Sequence, residues 1–147
     1  MKATLLLSFL TSTLAFAVPQ LQSDTDTLSP ETKFTLSFAK PVVSADLVGQ
    51  AAPNNYLDIT PPLDVVLRWT APEVAELQVT TLPQLGKTYT FTMREGQAFA
   101  DGSPIEAGEL GTLPAPPFYG SQSLHHGDSR LPIFVYRFND AVDSASA

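Results

Sequence analysis

Lys87-Thr88-Tyr89-Thr90-Phe91-Thr92-Met93 alternates more strictly between apolar and polar side chains than any other segment of this chain. Tyr89, Phe91 and Met93 fall on one face, and threonines occupy the other. Period-two alternation is typical of a strand with one buried face, and threonine suits the exposed face of a pleated sheet. The segment therefore predicts a β-strand that covers a hydrophobic core.

Shorter segments of the same kind lie on both sides of this strand. They are Lys33–Phe38, Tyr56–Thr60, Val65–Trp69, Glu76–Thr80 and, as the closing strand, Glu109–Leu113. Asp101-Gly102 predicts a hairpin-type turn, and residues 44–49 predict a single turn that Ser44 caps and Gly49 ends. No segment shows sustained helical spacing, and 13 prolines suit short strands joined by turns. Strands at this spacing predict an all-β, immunoglobulin-like (Ig-like) sandwich.

The inward positions of these strands define the expected core. It comprises Phe34, Leu36, Phe38, Ile59, Leu67, Trp69, Leu77, Val79, Tyr89 and Phe91.

The N-terminus has the pattern of a secretory signal peptide. Lys2 supplies the positive charge, an apolar stretch follows, and Ala15-Phe16-Ala17 offers small residues for cleavage. The apolar stretch is shorter than the roughly 20 residues of a membrane span. We expect a signal peptide at 1–17, a mature protein that starts at Val18 and is secreted or periplasmic, and no membrane insertion after cleavage. Residues 18–31 are polar and are interpreted as a spacer.

Composition limits the partners and the chemistry. The chain has no cysteine, so an exported product gains no disulfide and depends on its core. A cysteine nucleophile and a cysteine-bound metal are excluded for the same reason. The net charge is −7, and removal of Lys2 with the signal makes it one unit more negative. A chain of this charge is not expected to bind nucleic acid or an anionic membrane.

The C-terminal part repeats a pattern from near the start of the predicted sandwich. Phe34-Thr35-Leu36-Ser37-Phe38 corresponds to Phe134-Val135-Tyr136-Arg137-Phe138, and a Val-x-Ser-Ala pattern follows each. Internal repeats indicate tandem units. We therefore predict an Ig-like domain at 32–114, a proline-containing linker and polar loop at 115–130, and at 131–147 the first strand of a second, truncated Ig-like domain. On this interpretation the sequence is a fragment of a longer protein.

The strand motifs resemble a known family. The motifs are Phe34-x-Leu36-x-Phe38-x-x-Pro41-Val42, Leu57-x-Ile59-x-Pro61-Pro62, Arg68-Trp69, Leu82-Pro83-x-x-x-Lys87-Thr88-Tyr89-Thr90-Phe91 and Ala100-Asp101-Gly102-Ser103-Pro104-Ile105. Together they resemble bacterial Ig-like domains such as those in tandem at the N-terminus of bacterial α2-macroglobulin-like proteins.

The resemblance implies a non-catalytic structural module of an exported protease inhibitor. Its partners would be neighbouring Ig-like domains and, through the parent protein, proteases. No functional residue of the family transfers, because the chain has no thioester motif and no bait segment. The alternative is an Ig-like adhesion or binding module of a surface-layer, adhesin or carbohydrate-active protein. A weaker third option is an accessory domain of a hydrolase.

A few residues invite a chemical interpretation, and each has a structural one. Tyr89 follows a Leu-Pro turn, as a corner tyrosine does, so its hydroxyl is expected to bond backbone upstream. Trp69 is expected in the core, with sugar stacking as the alternative. Asp101, with Gly102 and Ser103, is expected to form a plain turn rather than a calcium site, which needs six to eight oxygens.

His125-His126, with Asp128 nearby, is the remaining candidate. Adjacent residues of an extended segment point to opposite sides, so the pair chelates one metal poorly. A solvated loop is expected, with adventitious metal binding as the alternative. No catalytic, cofactor-binding or metal-binding residue is predicted, and the protein is not expected to be an enzyme.

Overall fold

The computed structural model describes residues 18–125 and 133–139, and these form an all-β fold. Its strands are β1 (Gln20–Ser23), β2 (Lys33–Ser37), β3 (Ala51–Pro53), β4 (Leu57–Thr60), β5 (Val65–Ala71), β6 (Val74–Val79), β7 (Thr88–Met93), β8 (Gly108–Pro114), β9 (Gly120–His125) and β10 (Ile133–Phe138). A single 3-10 turn, Ala45–Leu47, follows Ser44, and Gly49 ends the segment with a φ of 86° that glycine adopts readily. This confirms the predicted turn and its end at Gly49, whereas the side chain of Ser44 makes no capping hydrogen bond.

Two antiparallel sheets carry the fold. One has the order β1-β2-β6-β5-β3 and the other the order β4-β7-β8. The first four strands of the larger sheet correspond to A, B, E and D of an immunoglobulin sandwich, and the smaller sheet corresponds to C, F and G. β3 is an additional edge strand beside β5. The predicted Ig-like sandwich is confirmed.

The core lies between the two sheets. Phe34 of β2 and Phe91 of β7 come from opposite sheets, and their ring centroids are 4.8 Å apart. Nine of the ten expected core residues are buried, while Ile59, on the edge strand β4, is only partly buried. The alternation of β7 is as predicted, because Tyr89, Phe91 and Met93 are all buried.

Residues 18–31 do more than the expected spacer. β1 lies within them and pairs with β2 along its whole length. Leu28 is completely buried, and its N–H donates to the carbonyl of Pro114 at the end of β8 over 2.8 Å. This segment is therefore part of the sandwich. The sequence of β1 does not predict a strand, because β1 lies at the edge of the sheet and only Leu21 is partly buried.

The expected polar loop at 118–130 also contains regular structure. β9 occupies Gly120–His125 and pairs with β10, from Phe138 opposite Gly120 to Ile133 opposite His125. The sequence predicted no strand in this loop, so the pairing of β10 with β9 was not expected. β9 has an almost wholly polar sequence because its described side chains face solvent, so no alternation marks it.

The hairpin of β9 and β10 is a separate two-stranded sheet. β9 lies in the predicted linker, and β10 lies in the segment predicted to begin a second domain; that domain assignment stays a prediction. The predicted signal peptide lies outside the described residues.

Candidate functional site

Tyr89 is a corner tyrosine. It opens the buried face of β7, is 1% exposed, and its hydroxyl accepts a hydrogen bond from the backbone N–H of Gln84 over 2.8 Å. Gln84 lies upstream, in the connection from β6 to β7 that crosses between the sheets. The predicted hydrogen bond to upstream backbone is confirmed, and it ties this crossover to the core.

Trp69 belongs to an aromatic cluster inside the sandwich. Its ring lies 5.9 Å from that of Phe38 and 5.5 Å from that of Tyr56, the latter edge-to-face. Only 3% of Trp69 is exposed, so its face is not available to a sugar ring. Burial also raises the pKa of Tyr56, since the tyrosinate would lose hydration there. The core interpretation of Trp69 is confirmed.

Asp101 organises the turn between the short bridge partners Ala98 and Pro104. Its carboxylate accepts hydrogen bonds from the N–H and the hydroxyl of Ser103, and it forms a 2.9 Å ion pair with Lys40. The Ser103 hydroxyl, followed by the Lys40 ammonium, holds the pKa of Asp101 well below its usual range. The carboxylate is thus engaged in a turn, in line with the plain-turn interpretation.

The histidine pair is only partly within the described residues. His125 is the last residue of β9, and its backbone lies opposite that of Ile133. His126 and Asp128 lie outside the described residues, so the metal-binding alternative stays open. Within 18–125 and 133–139, no group of three or more His, Asp or Glu side chains has a metal-binding arrangement.

A groove of about 670 Å³ runs beside β4, between the edges of the two sheets. Asp58 and Arg94 lie on its wall, where Oδ1 of Asp58 and Nε of Arg94 are 2.6 Å apart. Asn54 lies at one end, and its side-chain amide bonds to the backbone of Leu57. Sequence reasoning missed Asn54, since only the backbone geometry of β4 reveals its contacts.

An apolar pocket of about 300 Å³ lies where the hairpin meets the sandwich. Leu82, 82% exposed, lines it together with prolines, Tyr119 and Asn139. The Asn139 side chain accepts from the N–H of Tyr119 and donates to the carbonyl of Pro117, each over 2.9 Å. These bonds fix the base of the hairpin beside the pocket.

Exposed aromatic rings cover the adjoining part of the hairpin. Phe118 and Phe138 stack with centroids 5.7 Å apart and planes within 9° of parallel. A Cβ at Gly120 would lie 2.7 Å from the Phe138 ring, so the ring lies directly over this glycine. Phe118, Tyr119, Tyr136 and Phe138 are each about half exposed. These rings can stack on a partner or pack against another domain.

Comparison of the chain with protein-family models, with curated proteins and with solved structures finds no match. None of the helical segments in the described ranges has the length and hydropathy of a membrane span.

Proposed function

We propose that the chain is a non-catalytic structural Ig-like module of an exported α2-macroglobulin-like protease inhibitor. The supporting observation is the contrast between the two copies of the repeated strand. Phe38, beside β2, is 6% exposed, whereas the corresponding Phe138 in β10 is 46% exposed. Leu36 is fully buried, whereas the corresponding Tyr136 is 59% exposed. In the described part of the chain no second sheet covers these core-type side chains of β10, as expected for a strand whose partner sheet belongs to a neighbouring module.

The residues that invited a chemical interpretation support a structural role. The hydroxyl of Tyr89 binds backbone, the indole of Trp69 is packed in the core, and the carboxylate of Asp101 is engaged by Ser103 and Lys40. Each therefore maintains the sandwich. A module whose polar groups stabilise its own turns is suited to holding neighbouring domains at a fixed spacing.

The coding sequence downstream of this chain tests the proposal. More β-domains leading to a helical thioester-type domain are expected. Long identical repeats or a surface anchor would favour an adhesion module, and a catalytic domain would favour an accessory module of a hydrolase.

A protein-level test uses the exported chain with serine and metalloproteases. The isolated module should leave their rates unchanged on both protein and small peptide substrates, because the inhibitory parts are assigned to the parent. Stoichiometric inhibition by the module alone would contradict a purely structural role.

The second candidate is an adhesion or carbohydrate-binding module. The exposed rings of Phe118, Tyr119 and Tyr136 favour it, because aromatic faces pack well against partially apolar ligands. Sedimentation with insoluble polysaccharides measures such binding. Retention that Tyr136→Ala abolishes, with the sandwich still folded, would replace the structural proposal by this one.

A further inference from the structure

Within residues 18–125 and 133–139, no strand pairs with the outer edge of β4 in the smaller sheet. β4 pairs with β7 on one side only, with Leu57 opposite Met93 and Ile59 opposite Phe91. The N–H of Arg94 donates to the carbonyl of Tyr56 over 2.9 Å. Hydrogen-bonded and non-hydrogen-bonded pairs alternate in an antiparallel ladder. Leu57 and Ile59 are therefore in non-hydrogen-bonded pairs, and their peptide groups point outward.

The side chain of Asn54 bonds the outward-pointing peptide groups of Leu57. Its Oδ1 accepts from the N–H of Leu57, and its Nδ2 donates to the carbonyl of the same residue, each over 2.9 Å. A side-chain amide offers one acceptor and a donor in one plane, so it bonds Leu57 as a residue of a neighbouring strand would. Among the described residues, no loop or turn hydrogen bond reaches the backbone of Ile59, and its ladder pair with Phe91 is of the non-hydrogen-bonded type.

The sequence on both sides limits how far this edge can pair. Pro53 ends β3 just before Asn54, and Pro61 follows β4. Proline donates no backbone hydrogen bond, so it blunts a sheet edge. Only Leu57 and Ile59 then present outward peptide groups on β4.

We propose that Asn54 is an edge guard, which prevents β4 from pairing with β4 of a second copy of this chain. The partner in this proposal is a second copy of the chain, because the strand is self-complementary. In a twofold antiparallel arrangement centred on Asp58, Leu57 of each copy faces Ile59 of the other, and both residue pairs are of the hydrogen-bonded type. Pairing in that register requires the Leu57 groups that Asn54 occupies.

The charge of Asp58 also opposes pairing between two copies. In the twofold arrangement the two Asp58 side chains lie directly opposite each other, and like charges in that position are destabilising. Arg94 offsets this only in part, because Asp58 remains 61% exposed. Salt screens such exposed charges. Once the guard is removed, pairing should therefore strengthen as salt concentration rises.

Asn54→Ala tests the proposal, with Asn55→Ala as the matched control. Asn55 is the next residue, and its exposed side chain bonds no described backbone group. Sedimentation of Asn54→Ala should shift from monomer toward dimer as its concentration rises, and more so at high salt. The amides of Leu57 and Ile59 should gain exchange protection over the same range. Asn55→Ala and the unmodified chain should show neither the dimerisation nor the gain in exchange protection. An Asn54→Ala protein that sediments and exchanges as Asn55→Ala does would overturn the proposal.

Amide exchange of the unmodified chain gives a second test that needs no variant. The N–H of Leu57 should exchange many times more slowly than that of Ile59, although both point away from β7. Equal rates at the two positions would mean that Asn54 does not seal the edge in solution, and the proposal would fail even if Asn54→Ala did not fold.

Discussion

Tyr89→Phe should destabilise the sandwich through the loss of one hydrogen bond. The substitution keeps the ring, which is 1% exposed, and removes only the oxygen that accepts from the N–H of Gln84. An unsatisfied buried donor costs about 1–3 kcal/mol. Because the Gln84 residue itself is exposed, water can reach part of this site. We therefore expect the lower end, about 1 kcal/mol, equivalent to about 4–8 °C in Tm for a domain of this size.

Urea unfolding followed by tryptophan fluorescence measures the difference. Trp69 is the only tryptophan and is 3% exposed, so its emission reports on the opening of the core. The midpoint should fall while the denaturant slope stays constant, because the surface exposed on unfolding is unchanged.

Tyr119→Phe is the control for this experiment. Tyr119 is 59% exposed. Removal of its solvated hydroxyl should change the free energy of unfolding by less than about 0.5 kcal/mol. If Tyr89→Phe were as stable as Tyr119→Phe, the corner hydrogen bond would contribute nothing, and the crossover would be held by packing alone.

Three further expectations rest on the structure, and a fourth rests on the sequence of the N-terminus. Phe91→Ala should cost about 3–5 kcal/mol in urea unfolding, and Thr90→Ala well under half of that; equal costs would refute the assigned faces of β7. Folding lowers the pKa of Asp101, so the ionised carboxylate stabilises the folded state above the unfolded pKa of 3.8, and this stabilisation is lost as the pH falls below that value. Asp101→Asn should therefore flatten the dependence of unfolding on pH in the acid range. An unchanged pH dependence would argue against a stabilising role of the Asp101 carboxylate. Amides of β10 should exchange faster than those of β7, because an isolated two-stranded hairpin is marginally stable; equal protection would make the hairpin part of the sandwich unit. N-terminal sequencing of exported protein should begin at Val18, and an intact Met1 would rule out cleavage.

The strands that sequence predicts well are those with one buried face. β7 and β5 alternate because each covers the core, so their inward residues could be assigned from spacing alone. β3 is three residues long and β9 is polar, so neither carries such a signal. The pattern of Tyr56–Thr60 predicts Ile59 in the core, yet Ile59 lies on an edge strand and stays partly exposed. Edge position depends on strand order, which local patterns do not encode.

Polar side chains were predictable to different degrees for a related reason. The role of Tyr89 could be predicted, because a Leu-Pro turn before a strand places the hydroxyl near backbone that needs a partner. The role of Asn54 could not, because it depends on which peptide groups of β4 point outward, and that phase is set by pairing with β7. The alternation of residues along one strand predicts which face is buried. Which peptide groups of an edge strand point outward, however, is set only when that strand pairs with its neighbour in the sheet. In a β-sandwich, the side chains that control pairing between copies are therefore found by tracing the backbone bonds of each edge strand.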